Sequence, residues 1–251
     1  MEDKIIDIKT IEKEIEKAID EKDIYRKEMI KIYDEDKVIE KASKIKESKT
    51  SIIVKNIQEK FKLIDNPSEI YKKISYFKDY KNSYFETIII IRNEMIKSKN
   101  KNLFYSYLFM VSHYAELVIK AVLLSKNEEM PSNHDILNIF TKEKDFLTKI
   151  GLKPGYYEYC IKQLKKIKEY ASNDDFSMCF RFPLDKNYNS KIITNKMLNI
   201  KFSDIEKIVN NQRNFFIILE LIIVLSEKDF YRKVDEFALK LLNEVNACLG
   251  K

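Results

Sequence analysis

The chain has 251 residues, enough for one large domain or two modest ones with a real core. Three glycines and four prolines are too few for a fold built on turns, which excludes a β-sandwich or doubly wound sheet and points to an all-α protein. A net charge of +6 from 46 basic and 40 acidic residues is a slight excess on a heavily charged surface. The only arginines are Arg26, Arg92, Arg181, Arg213 and Arg232, so composition alone does not mark a nucleic-acid binder.

Cys160, Cys179 and Cys248 are odd in number and lack paired spacing, so they read as free thiols of a reducing compartment. The start, MEDKIIDIKTIEKE, has no apolar signal core. The apolar runs at 103–124 and 215–225 are interrupted by ionisable side chains. The expectation is a cytoplasmic protein with no membrane span, no metal and no cofactor.

Residues 1–80 read as a charged helical extension, and residues 81–251 as the main bundle. Ile5, Ile8, Ile11, Ile15, Ala18 and Ile19 recur at helical spacing and share one face. A second stripe starts at Ile24, Met29 and Ile30, and a third at Ile52, Ile53, Ile57 and Phe61. Helices this polar are not stable alone and need a partner surface; their long Lys/Glu faces read as solvated helix surfaces or as an arm that binds another protein. Pro67 suits a first helical turn after Asp65 and Asn66.

The stretches YFETIIIIRNEMI and NLFYSYLFMVSHYAELVIKAVLL are far more apolar and are expected to be the central helix pair. Ser132 or Asn133 would cap the helix that follows, and Pro154-Gly155 restarts the chain before an amphipathic helix at YYEYCIKQLKKIKEYA. Near 176–200 the apolar residues alternate, turn formers cluster and Pro183 forbids a helix interior, so a short β-hairpin or extended insertion is expected. Ser203 to Glu206 has the form of a capping box, and Ser226 and Asp229 suggest a further helix start.

Three stretches resemble the HEPN superfamily of helical bundles. YAELVIKAVLLSKN carries a glutamate followed by a Lys-Ala pair, here Glu116, Lys120 and Ala121. HDILNIF is similar to the family's His-x-Leu segment. DDFSMCFRFPLDKN resembles the Asp…Phe-Arg-Tyr-Pro-x-Asp stretch of a bacterial subgroup, with Phe182 replacing the tyrosine. The resemblance covers about residues 102–225 and implies a HEPN-like bundle, a homodimer through its central helices, and a link to RNA or nucleotides. A setting in bacterial anti-phage defence or a toxin–antitoxin pair is implied by the family alone.

Many relatives cleave RNA with an arginine followed, after four to six residues, by a histidine; arginine would steady the phosphate and imidazole would move the proton. That motif is absent. Leu108, Tyr107 and Ser106 stand at the arginine positions before His113, and Glu129, Glu128 and Asn127 before His134. Arg213-Asn214 begins like the motif, yet Ile218, Leu219 and Glu220 occupy the histidine positions. The leading expectation is therefore a non-catalytic or divergent binding or protein-interaction module. The rivals are an RNase using Arg181 with His113 or His134, and a helical subunit of a larger complex.

Two readings attach to each candidate. His113, Glu116 and Lys120, spaced by three and four, form either a closed polar seam or a pocket for a phosphate or base. Arg181, between Phe180 and Phe182, either grips a phosphate or pairs with Asp174, Asp175 or Asp185. His134 either bonds near a helix start or acts in a site. Tyr156, Tyr157 and Tyr159 either stack bases or pack. Glu220 should face a basic partner or the polar seam of the bundle.

Overall fold

The computed structural model describes residues 7–32, 67–126, 128, 135–170 and 199–248. Among them are seven helices and no strand: α1 (Ile8–Ile32), α2 (Pro67–Ser98), α3 (Leu103–Ser125), α4 (Ile136–Lys142), α5 (Lys144–Lys149), α6 (Pro154–Lys168) and α7 (Phe202–Cys248). The protein is an all-α bundle. The insertion expected near 176–200, with Arg181 in it, lies outside the described residues apart from positions 199 and 200, and so does His134.

The central pair forms as the apolar stretches require. Residues 99–102 turn the chain between α2 and α3; Lys99 adopts a positive φ of 52° and the Asn100 side chain accepts from the Asn102 amide at 3.0 Å. The helices then run antiparallel, so Phe85 meets Tyr114 and Tyr84 meets His113, with ring centroids 5.8 and 5.2 Å apart. α7 lies against both. It is antiparallel to α2, pairing Asn210 with Arg92 and Glu227 with Lys78, and parallel to α3, pairing Gln212 with Tyr107 and Glu220 with Tyr114. Phe104, Tyr107, Tyr114, Phe140 and Phe215 fill the core between these elements.

α3 and the first part of α7 have the length and apolarity of a membrane span, but 67% of the α3 window is buried inside the bundle. Their apolar side chains are used by the core. α1 lays Ile11 and Ala18 into the core and packs along α7, which makes the first stripe of isoleucines a helix–helix contact. Ile24, at the head of the second stripe, is exposed on the same continuous helix.

Three expectations about helix ends are corrected. The cap of α4 is Asp135, not Ser132 or Asn133: its carboxylate accepts from the Asn138 amide at 3.2 Å, three residues into the helix. The Ser203–Glu206 box lies inside the first turn of α7, because the helix begins at Phe202 and the Asp204 and Ile205 amides bond to the Lys201 carbonyl. α7 does not restart at Ser226. That hydroxyl donates to the Ile222 carbonyl one turn back, at 2.8 Å, and no glycine or proline interrupts residues 202–248.

Two outcomes follow from packing and charge. Leu108→Ala should lower unfolding free energy by about 2–5 kcal/mol, whereas Ile90→Ala, at a site 69% exposed, should change it by under about 0.5 kcal/mol; urea unfolding measures both. At Asp229, burial raises the carboxyl pKa, but donation from Lys233 and Arg232, each at 2.7 Å, outweighs it and holds the group below its ordinary value. Its stabilisation is present above the unfolded carboxyl pKa and is lost as pH falls through the folded one. Asp229→Asn should therefore flatten the acid limb of a stability–pH profile.

Candidate functional site

Glu116 sits in the middle of α3 with only 3% of its surface exposed. An isolated carboxylate there would be costly, and the sequence places its compensation on the same face, one turn to either side. Lys120 Nζ lies 2.5 Å from Oε1, and His113 Nδ1 lies 3.4 Å from Oε2. The imidazole is held between aromatics: it stacks on Phe109 at 5.0 Å and tilts against Tyr84 of α2 at 5.2 Å. His113, Glu116 and Lys120 thus share one face of α3, with Lys120 bonded to the Glu116 carboxylate.

A second row of charges joins α2 to α7. Glu227, buried on α7, takes Lys78 of α2 at 3.0 Å and Lys22 of α1 at 3.3 Å. Two turns nearer the N-terminus, Glu220 accepts from Lys81 of α2 and, at 2.5 Å, from the Tyr114 hydroxyl of α3. Lys81 is 4% exposed and its ammonium lies 5.8 Å from the centroid of the Tyr114 ring. Further along, Arg92 donates to Asn210 at 3.1 Å. Burial, and then the Glu220 charge and hydrogen bond, push the Tyr114 pKa well up, so the hydroxyl keeps its proton and acts as a donor. Glu220 meets the basic partner expected of it. Lys81 itself had no signal in sequence, being one lysine among many; only the phase of α2 against α7 singles it out.

These contacts decide how the motif positions are used. Ile218 and Leu219 are fully buried core residues, and Glu220 is engaged by Lys81 and Tyr114, while Arg213 is exposed on α7. Tyr156 and Tyr157 are buried, with Tyr157 stacked on Phe140 at 5.5 Å, and the Tyr159 hydroxyl donates to the Asn211 carbonyl at 2.5 Å. That run packs α6 onto its neighbours. Cys160 is a buried free thiol whose pKa burial pushes up, the opposite of an activated nucleophile. Among the described residues, no group of three His, Cys, Asp or Glu side chains is placed to hold a metal. Arg181, His134, Asp174 and Asp175 lie outside the described residues.

A family model described as HEPN domain matches residues 92–220, just over half of the chain. The span opens at Arg92 and closes at Glu220, two residues of the α2–α7 row, and leaves α1 and most of α2 outside. No curated protein and no solved structure matches the chain significantly.

The Lys81–Glu220 pair should behave asymmetrically. Glu220→Leu strands a buried ammonium and should cost about 3–5 kcal/mol of stability. Lys81→Met should cost less, since the Glu220 side chain is 38% exposed and can hydrate. The double replacement should recover most of the loss, as read in a double-mutant cycle of urea unfolding.

Proposed function

The chain belongs to the HEPN domain family, a class of helical modules associated with nucleotides and RNA, and from that membership we propose that it binds nucleotide or RNA without cleaving it. One observation carries the reading. Where a cleaving relative would place a histidine after Arg213, this chain has Ile218 and Leu219 in the core and Glu220 tied to Lys81 and Tyr114. α7 carries no histidine, so that helix offers no imidazole one to two turns after the arginine to move a proton at a scissile phosphate. Arg213 keeps the phosphate-binding half of the pair: it is exposed, always charged, and forked for phosphate oxygens. The setting we propose is bacterial anti-phage defence or a toxin–antitoxin pair, which a nucleotidyltransferase gene beside this one would support.

The rival reading, an RNase using Arg181 with His113 or His134, draws on one feature. The Glu116 carboxylate faces Nδ1 of His113, an arrangement that orients an imidazole base. Incubation of the purified chain with single-stranded RNA separates the two. The binding reading expects intact RNA together with affinity that falls as salt rises. Arg213→Ala should weaken binding and reduce the slope of log affinity against log salt by about 0.7, the loss of one single-strand phosphate contact. Cleavage that disappears in His113→Gln would overturn it.

A further inference from the structure

Five arginines stand among 46 basic residues, so an arginine here marks a place where a planar, forked cation replaces the usual lysine. Arg232 is taken up by Asp229 and Glu236. Arg92 and Arg213 are used differently. They stand on the rim where α2 passes α7, and among the described residues neither meets a carboxylate.

The rim holds the two guanidiniums close together. Arg92 reaches across from α2, where Nη2 donates to the Asn210 side-chain oxygen of α7 at 3.1 Å and Nη1 donates to Asn93 at 3.3 Å. Both acceptors are neutral amides, so they aim the fork without cancelling its charge. Arg213 follows Asn210 by three residues on the same helix, which sets their Cβ atoms about 5–6 Å apart on one face. Glu94 and Glu206, the acids nearest to Arg92 and Asn210 along their helices, pair with neither arginine. Two like charges within a turn of each other repel, and an anion bound between them removes that repulsion.

The exposure of the rim narrows the anion. Asn93, Asn210 and Arg213 are exposed and Arg92 is partly buried, so this is an open surface that a strand can cross, not an enclosed cavity. Each guanidinium presents paired donors that match two oxygens of a phosphate. The amide nitrogens of Asn93 and Asn210, whose oxygens Arg92 occupies, remain as donors for ribose hydroxyls.

We propose that Arg92 and Arg213 together hold successive phosphates of a single-stranded RNA backbone, with Asn210 positioning the Arg92 fork. This rests on the RNA reading above and adds to it a second phosphate contact, from α2.

The test measures binding of the full chain to single-stranded RNA across a salt series. Arg92→Gln should reduce the slope of log affinity against log salt by about 0.7, as Arg213→Ala does, and the double variant by about 1.4. Arg92→Lys keeps the charge and loses the fork, so the slope should hold while affinity falls severalfold. Asn210→Ala removes the bond between α2 and α7 but neither charge, so its slope should match that of the unaltered chain; thermal melts check the fold of every variant. Uridine monophosphate, with one phosphate, should not displace the strand. A slope reduced by only one of the two arginine variants, a slope reduced by Asn210→Ala, an Arg92→Lys affinity equal to that of the unaltered chain, or displacement by the mononucleotide each overturns the two-arginine site and leaves the RNA reading standing. Absence of salt-dependent RNA binding by the unaltered chain overturns both.

Discussion

An ammonium with 4% of its surface exposed has to be neutralised where it lies, and the way Lys81 is neutralised governs how the central helices meet. Its carboxylate comes from Glu220 of α7, and the same carboxylate oxygen accepts the Tyr114 hydroxyl of α3. One oxygen therefore fixes the rotation of α2, α3 and α7 about their own axes. Slipping α7 by one residue would turn Glu220 about 100° away and leave the lysine and the tyrosine buried without it. The flanking rungs keep the same register: Arg92 with Asn210 toward one end, and Lys78 with Glu227 toward the other. Phe85 and Phe216, 5.7 Å apart in an edge-to-face contact, fill the space between them.

The seam on α3 solves the same problem differently. Glu116 is as buried as Lys81, but the lysine bonded to it, Lys120, stands on its own helix, so this pair by itself constrains no neighbouring element. His113 adds the cross-helix component, through its ring contact with Tyr84. A local pair of this kind forms whenever the helix forms, whereas the Lys81–Glu220 pair forms only when α2 and α7 dock. This contrast bears on function. One of the three residues at the histidine positions after Arg213, Glu220, belongs to the docking set, and the bundle uses it to hold itself together.

α1 adds to that frame from outside the family span. Lys22 shares Glu227 with Lys78, Glu21 takes Lys228 at 2.8 Å, and Glu14 takes Lys153. Ile11 and Ala18 meanwhile enter the core. The three carboxylate contacts reach α7 and the start of α6, so the charged N-terminal helix is bonded along the bundle on one side, while Lys9, Glu12, Lys13, Glu16, Lys17 and Lys27 are exposed.

The local pattern was legible. Scarce glycine and proline, isoleucines at helical spacing and the Pro67 and Pro154 starts gave the all-α class and the central pair. The three- and four-residue spacing of His113, Glu116 and Lys120 placed all three on one face of α3, where Lys120 bonds Glu116. Helix ends were read less well. Asp135 outcompeted Ser132 and Asn133 as a cap, and Ser226 turned its hydroxyl inward to Ile222, so a residue that starts helices elsewhere sits in the middle of one. What no periodicity contains is which lysine of α2 meets which glutamate of α7. Sequence alone determined the helices, their apolar faces and the contacts made within one turn, because those depend on neighbours three and four residues away. Tertiary structure decided the role of Lys81 and Glu220, because a pairing across more than a hundred residues exists only after the helices have set their rotation and register.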